Sequence, residues 1–327
     1  MKAGFIGLIA AFIIAGLAPH YATAEQARIL RVGAVSLRPF GKANISDAFL
    51  KRMAELGYVQ GQNFDFKFVH AQSRIDYEAA YRDLVASGVD VLAAGGPEIA
   101  LKAAAAAAGK VVPIVMIAAD YDPLELGYVA SLAEPGGNIT GVFFRQVALT
   151  EKRLELLREV LPQAAGLTVF WDRNSADQWA RAESAATALG IPVHGVEFRE
   201  RPYNYDAAFA QVPAAYRGGL MVLASQLFSL PARQTLIDFS ARRRLPTMYY
   251  VRFYPDASGL ISYGVSFTKL FRRAADFVDK IGRGASPSTL PVEQPTQYEM
   301  VVNLKTAAAL GLEIPEAILL RADEIIE

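Results

Sequence analysis

The stretch Val89–Tyr128 reads VDVLAAGGPEIALKAAAAAAGKVVPIVMIAADYDPLELGY. A short apolar run, Val89–Ala94, ends at Gly95-Gly96-Pro97; an alanine-rich segment follows, then a second apolar run, Val111–Ala118. The order is strand, tight loop, helix, strand. Pro97 suits a first helical turn, where a missing N–H costs nothing, and Glu98 beside it favours the positive helix end. Both runs are too apolar for a sheet with one wet face, so they read as buried parallel strands. The loops after them, Gly95–Glu98 and Ala119–Pro123 with Asp120 and Asp122, then emerge on one edge of the sheet. Ligands of open parallel sheets bind along that carboxyl edge, so the function is to be sought there.

Working outward, the same alternation holds on both sides. Ile29–Ser36 is a strand, Ile45–Leu56 a helix closed by Gly57, and Phe64, Phe66 and Phe68 alternate with polar residues in a second strand. Tyr77–Ala86 is helical and leads into the central unit, giving a parallel, doubly wound sheet. A short helical segment is expected after Asp122-Pro123, a strand from Ile139, and a helix from Thr150 to Leu161. From Leu167 the βαβ order restarts. Leu167–Trp171, Pro192–Phe198, Gly219–Ala224, Pro246–Tyr250 and Gly259–Tyr263 read as strands, with helices Asp177–Leu189, Asp206–Ala214 and Ala232–Arg243 between them. Phe267–Ile281 is an amphipathic helix, Val301–Leu310 a helix closed by Gly311, and the Gly-Pro-rich stretch Gly282–Pro295 a connection. The succession of elements recurs without repetition of residues, which implies two similar α/β lobes. A length of 327 residues agrees with two cores.

Composition narrows the classes of function. Thirty-three basic and 33 acidic residues give no net charge, and so no electrostatic reason to expect nucleic acid or an anionic membrane as partner. Lys2, the apolar Phe5–Ala18 and the small-x-small Ala22-Thr23-Ala24 form a secretory signal peptide over residues 1–24, cut after Ala24. The apolar run falls short of the ~20 residues that span a bilayer. The chain has no cysteine, hence no disulfide, thiolate metal site, cysteine nucleophile or lipoprotein acylation site. Export without a lipid anchor points to the periplasm.

An enzyme needs a constellation, and none assembles. His20 lies in the signal peptide; His70 and His194 are isolated, without HExxH or paired spacing. There is no G-x-S-x-G elbow, no G-x-G-x-x-G loop and no P-loop around Gly109-Lys110. Arg242-Arg243-Arg244 reads as the solvated end of a helix. Neither a metal nor a cofactor is called for. What remains is recognition chemistry. Trp171, Tyr249, Tyr250, Phe253 and Tyr254 lie in second-lobe loops with Arg252 among them, a set that can stack a planar group and pair an anion. The same rings can equally fill the core, and Arg252 can equally point to solvent.

The segments ELGYVQGQNFDFKF, DVLAAGGPEIALKA, PIVMIAADYDPLELGYVASLAEPGGNITG, EKRLELLREVLP, GLISYG, LFRRAADFVDKIGRGASPSTLPVEQPTQYEMVVNLKTAAALGLEIP and LLRADEIIE, in that order, resemble one family. It is the ABC-transporter substrate-binding family whose relatives include tryptophan- and tyrosine-type amino-acid binders. The resemblance implies a type I periplasmic binding protein with two Rossmann-like lobes joined by three crossovers. Lobe I would hold residues 25–141 plus 266–291, lobe II residues 142–265 plus 292–327. A small solute, an amino acid or related acid, would sit in the cleft, and the closed monomer would dock on a membrane permease. An alternative partner is a membrane sensor kinase; a secreted α/β enzyme is a third reading. By the family's pattern the binding positions fall at Ser36, the Gly95-Gly96-Pro97-Glu98 loop, Asp122, Trp171, Asn174 and Tyr263, and at Ser225 and Gln226 in a loop that departs from the usual Pro-Asp type. Several are altered. Glu98 stands where a small or hydroxyl residue is usual, and Trp171-Asp172-Arg173-Asn174 replaces Trp-Asn-Pro.

Overall fold

The computed structural model describes residues 29–37, 45–73, 75–199, 202–228 and 230–327. The expected signal peptide lies outside the described residues. In chain order the elements are β1 (Leu30–Ser36), α1 (Ile45–Glu55), β2 (Phe64–His70), α2 (Asp76–Ala86), β3 (Val91–Gly96), α3 (Glu98–Ala108), β4 (Ile114–Ala119) and β5 (Ile139–Phe144). Then come α4 (Val147–Val160), β6 (Leu167–Asp172), α5 (Ala176–Ala188), β7 (Val193–Phe198), α6 (Tyr205–Ala210), β8 (Gly219–Val222), α7 (Leu230–Arg242), β9 (Thr247–Tyr249) and β10 (Ile261–Gly264). The chain ends with α8 (Phe267–Gly282), β11 (Glu299–Asn303), α9 (Leu304–Leu310), α10 (Glu316–Leu319) and β12 (Glu324–Ile326).

The strands form two sheets. The first is parallel, in the order β2-β1-β3-β4-β5; the second runs β12-β11-β10-β9-β8-β6-β7, parallel except where β11 meets β10. Helices cover both faces of each sheet, as near-continuous apolar strands require. Tyr81 and Leu84 of α2 and the alanines Ala100, Ala103, Ala104 and Ala108 of α3 cover one face of the first sheet. Met53 of α1 and Ala274, Phe277 and Val278 of α8 cover the other. The small side chains on α3 let that helix lie close against its strands, which is what the alanine run is for. Second-lobe packing follows the same plan, α4 and α5 on one face and α6 and α7 on the other.

The two lobes are not contiguous in sequence. The chain crosses between them after β5, again after β10, and a third time on the way to β11. Strand β5 runs intact to Phe144 in the first sheet, three residues past the expected boundary at 141. The returning chain still belongs to the first lobe at 293: Glu293 N–H donates to Gly141 O at 2.9 Å, and Phe143 N–H donates to Glu293 O at 2.9 Å. The sheets thus put the passages near 145 and beyond 293, because backbone pairing continues until no partner strand is left.

Gly141, within the PGGNITG stretch, has φ +132, and a Cβ there would lie 2.2 Å from the carbonyl oxygen of Met116 on β4. Only glycine lets these strands approach so closely. Two expectations fail. Val301–Leu310 is not one helix: Val301 and Val302 are buried β-branched residues in β11, and Asn303 caps α9 by accepting from Thr306 N–H at 2.9 Å. After Pro123 the chain makes a turn rather than a helix.

Candidate ligand-binding site

Parallel strands bring their carboxyl ends to one edge of each sheet, and the structure joins the two edges at Gln178. This residue sits in the first turn of α5, fully buried. Its amide brackets Ala224, beyond the end of β8: Oε1 accepts from Ala224 N–H at 3.0 Å and Nε2 donates to Ala224 O at 2.9 Å. The same Nε2 reaches across to Asp120 Oδ2 of the first lobe at 3.4 Å. Asp120, beyond β4, adopts φ +69, a left-handed conformation that aspartate tolerates better than most residues. Its other carboxylate oxygen accepts from Gln146 N–H, on the first passage between lobes, at 2.9 Å. Burial pushes the Asp120 carboxyl up to about 6, against the pull of that N–H.

Below this contact lies Arg153 on α4, fully buried. Its Nε donates to Tyr263 O at 2.7 Å and one Nη donates to Gln146 Oε1 at 2.5 Å. It therefore ties the first passage to the end of β10, where the second begins. Burial lowers the guanidinium to about 10, while Asp120, Tyr250 and Tyr263 act in the other direction. The remaining Nη1 has no partner among the described residues. Arg145 spans the lobes nearer the surface, 3.2 Å from Glu125 Oε2 and 3.7 Å from Asp177 Oδ2.

The expected site residues fall at different places in the structure. Ser36, Gly96 and Asp120 end or follow β1, β3 and β4 at the edge, and Gly96 has φ +110 in the turn before α3. Gly95 precedes it, and Pro97 caps α3 with its backbone. Glu98 accepts a hydrogen bond from Tyr128 Oη, both within the first lobe. Asp122 turns back into its own loop, accepting from Leu124 N–H at 2.8 Å. On the second lobe, Ser225 is buried and donates to Asp172 Oδ2 at 2.5 Å, while Tyr250 Oη donates to Ser225 O at 3.2 Å. Asn174 follows Asp172, whose Oδ1 accepts its N–H at 2.9 Å. The side chain of Gln226 lies outside the described residues. Tyr263 supplies the carbonyl that Arg153 holds, its ring 5.9 Å from Tyr298.

Two of the expected residues make other contacts in the structure. Arg252 is not a free anion anchor. Its guanidinium is committed to Asp256 at 3.2 Å, Glu324 at 3.0 Å and Glu299 at 3.4 Å, fastening the loop after β9 to β11 and β12. Trp171 does not reach toward the first lobe. It stacks on Trp179 of α5, centroids 5.7 Å apart, and both indoles lie over Gly195 of β7, beside a hollow of about 500 Å³ on the lobe's flank. Tyr249 and Tyr254, two more rings of that set, are core residues stacked on each other at 4.1 Å.

Asp172, Gln146, Arg153 and Gln178 were not nominated. One signal for Arg153 is visible in hindsight. It falls four residues after Leu149, three before Leu156 and seven before Val160, a cation inside the buried stripe of an amphipathic helix. Gln178 likewise precedes the buried Ala182 and Ala185 by four and seven.

Two α/β lobes joined by three passages, with the carboxyl ends of both sheets converging, define a type I periplasmic binding protein. The chain belongs to the ABC transporter substrate binding protein family, whose pattern matches residues 39–326. A tyrosine-binding protein of Clostridioides difficile is 24% identical over 270 residues, 81% of this chain and 76% of that protein. An ABC domain in complex with L-Trp from Streptococcus pneumonia superposes with a TM-score of 0.75 at 21% identity, covering 91% of this chain and all (100%) of that one. A ligand-free, open substrate-binding protein with adhesive properties from Clostridium difficile gives 0.70 at 21% identity, over 91% and 99% of the two chains. These solved structures attest to the fold. Among the described residues no helix is long and apolar enough to cross a membrane, and no group of three His, Asp or Glu could hold a metal.

Proposed function

We propose that the protein is the solute-binding component of an ABC importer. It acts by capture rather than catalysis. The mature chain works in the periplasm as a monomer, closing its lobes on a small carboxylate-bearing solute, an amino acid or related acid. The closed form then docks on an inner-membrane permease. The observation that carries this reading is the meeting of Asp120, Gln178 and Ala224, which brings the carboxyl edges of both sheets together beside the passages between lobes. Family membership supports the class of function, and the tyrosine and tryptophan of the two relatives name the first solutes to try. The leader-like residues 1–24 support export.

A thermal-shift screen of the twenty amino acids and a set of aromatic and small carboxylates tests the reading. A solute at 100 times its dissociation constant stabilises the folded state by about 2.7 kcal/mol. Stabilisation by one member or a narrow group is the expected result. Absence of any shift across the set overturns the reading.

A further inference from the structure

We infer that Arg153 is the anchor for the solute's carboxylate. This rests on the reading of the cleft as a solute site, and it moves the anion-binding role away from Arg252.

Arg153 is fully buried, and the strand ends that converge on it come from both lobes. Asp120 follows β4 in the first lobe; Tyr250 and Tyr263 lie at the ends of β9 and β10 in the second, and all three act on its charge. Gly264 faces it closely, since a Cβ there would stand 3.4 Å from one of its Nη atoms. Asp120, Tyr250 and Tyr263 are all residues the sequence places at the carboxyl edges or in the second-lobe loops.

Hydrogen bonding leaves the guanidinium incomplete. Nε and one Nη are taken by Tyr263 O and Gln146 Oε1, both neutral acceptors, whereas Nη1 has none. No carboxylate stands within ion-pair distance of it among the described residues, and Asp120 acts on its charge without forming an ion pair. A buried cation without an ionic partner is costly to maintain, and leaving an N–H unsatisfied adds to the cost. A carboxylate arriving in the cleft removes both penalties: it accepts from Nη1 and neutralises the charge. The guanidinium is enclosed here, so the solute reaches it as the lobes part and is shut in as they close. Arg153 also grips two of the three passages, so the same contact couples the solute to the hinge.

The experiment uses the full mature chain. Every amino acid or aromatic carboxylate that stabilises the wild type is paired with its carboxamide, and both are titrated by calorimetry. The acid is expected to bind tenfold to a hundredfold more tightly than its amide. Arg153→Met is expected to abolish that gap. Acid and amide binding the wild type equally, or Arg153→Met keeping the preference for acid, overturns the anchor while leaving the solute site standing. A purely structural Arg153 would weaken acid and amide alike. Should Arg153→Met not fold, the acid–amide comparison on the wild type decides alone. If no carboxylate binds the wild type, the solute-site reading falls and the anchor with it.

Discussion

Asp120 concentrates several constraints in one residue: a left-handed backbone, two hydrogen bonds from different lobes or passages, and a carboxyl raised to about 6 from an ordinary 3.8. A carboxyl whose folded value is raised holds its proton in the native state after the unfolded chain has lost it. Stability is therefore expected to fall as pH rises through the window from about 4 to 6, and to level off above it. In urea titrations, Asp120→Asn should lack this component, the wild type losing on the order of 2 kcal/mol relative to it between pH 4 and 7. Parallel curves for the two proteins would show that Asp120 is ionised as freely as in the unfolded chain. Gly141 makes a sharper demand: Gly141→Ala drives a Cβ against Met116 O and should cost about 3 kcal/mol or more in chemical denaturation. Residue roles of this kind were unevenly legible. The place of Asp120 at the sheet edge could be read because it follows an apolar run directly. The pairing of Arg252 could be read only in part: Asp256 is four residues on, but Glu299 and Glu324 lie 47 and 72 residues further along, beyond the reach of any local pattern.

At the scale of elements, hydrophobic periodicity located most strands and helices, since each buried face is written into consecutive residues. It failed where burial and propensity compete over a few residues, as in β11, whose Val301 and Val302 are parted from α9 by the single capping residue Asn303. Arg252 now has an element-level task, fastening the loop after β9 to β11 and β12. Its side chain is about one-third exposed, so solvent weakens each ion pair. Arg252→Ala should leave solute affinity unchanged and lower stability by about 1 kcal/mol. A tenfold loss of affinity in calorimetry would return Arg252 to the binding site. The indole pair shows a second limit of one-dimensional reading. Trp171 and Trp179 are eight residues apart, and their stacking over Gly195 depends on β7 lying beside β6.

At the scale of the whole molecule, the lobes communicate through the three passages and a few polar contacts. The Gln178–Asp120 hydrogen bond joins them directly, and Arg145 stands between Glu125 and Asp177. Removing the former with Gln178→Ala should favour separation of the lobes by about 1 kcal/mol, roughly a fivefold change in the ratio of open to closed forms. Small-angle scattering of the solute-free protein would register this as a larger radius of gyration; an unchanged radius would mean the contact has no hold on the lobes. That the chain forms two lobes was legible from the recurrence of βαβ order, but their junction was not, because it is built from single residues at element ends. The late position of α8 has a consequence for biogenesis. All five strands of the first sheet exist once residue 144 has been made, yet α8, which shares the cover of one side with α1, spans 267–282. A growing polypeptide paused anywhere between those points leaves part of that side greasy and bare, which suits it to escort by a holding chaperone until the rest of its cover is synthesised.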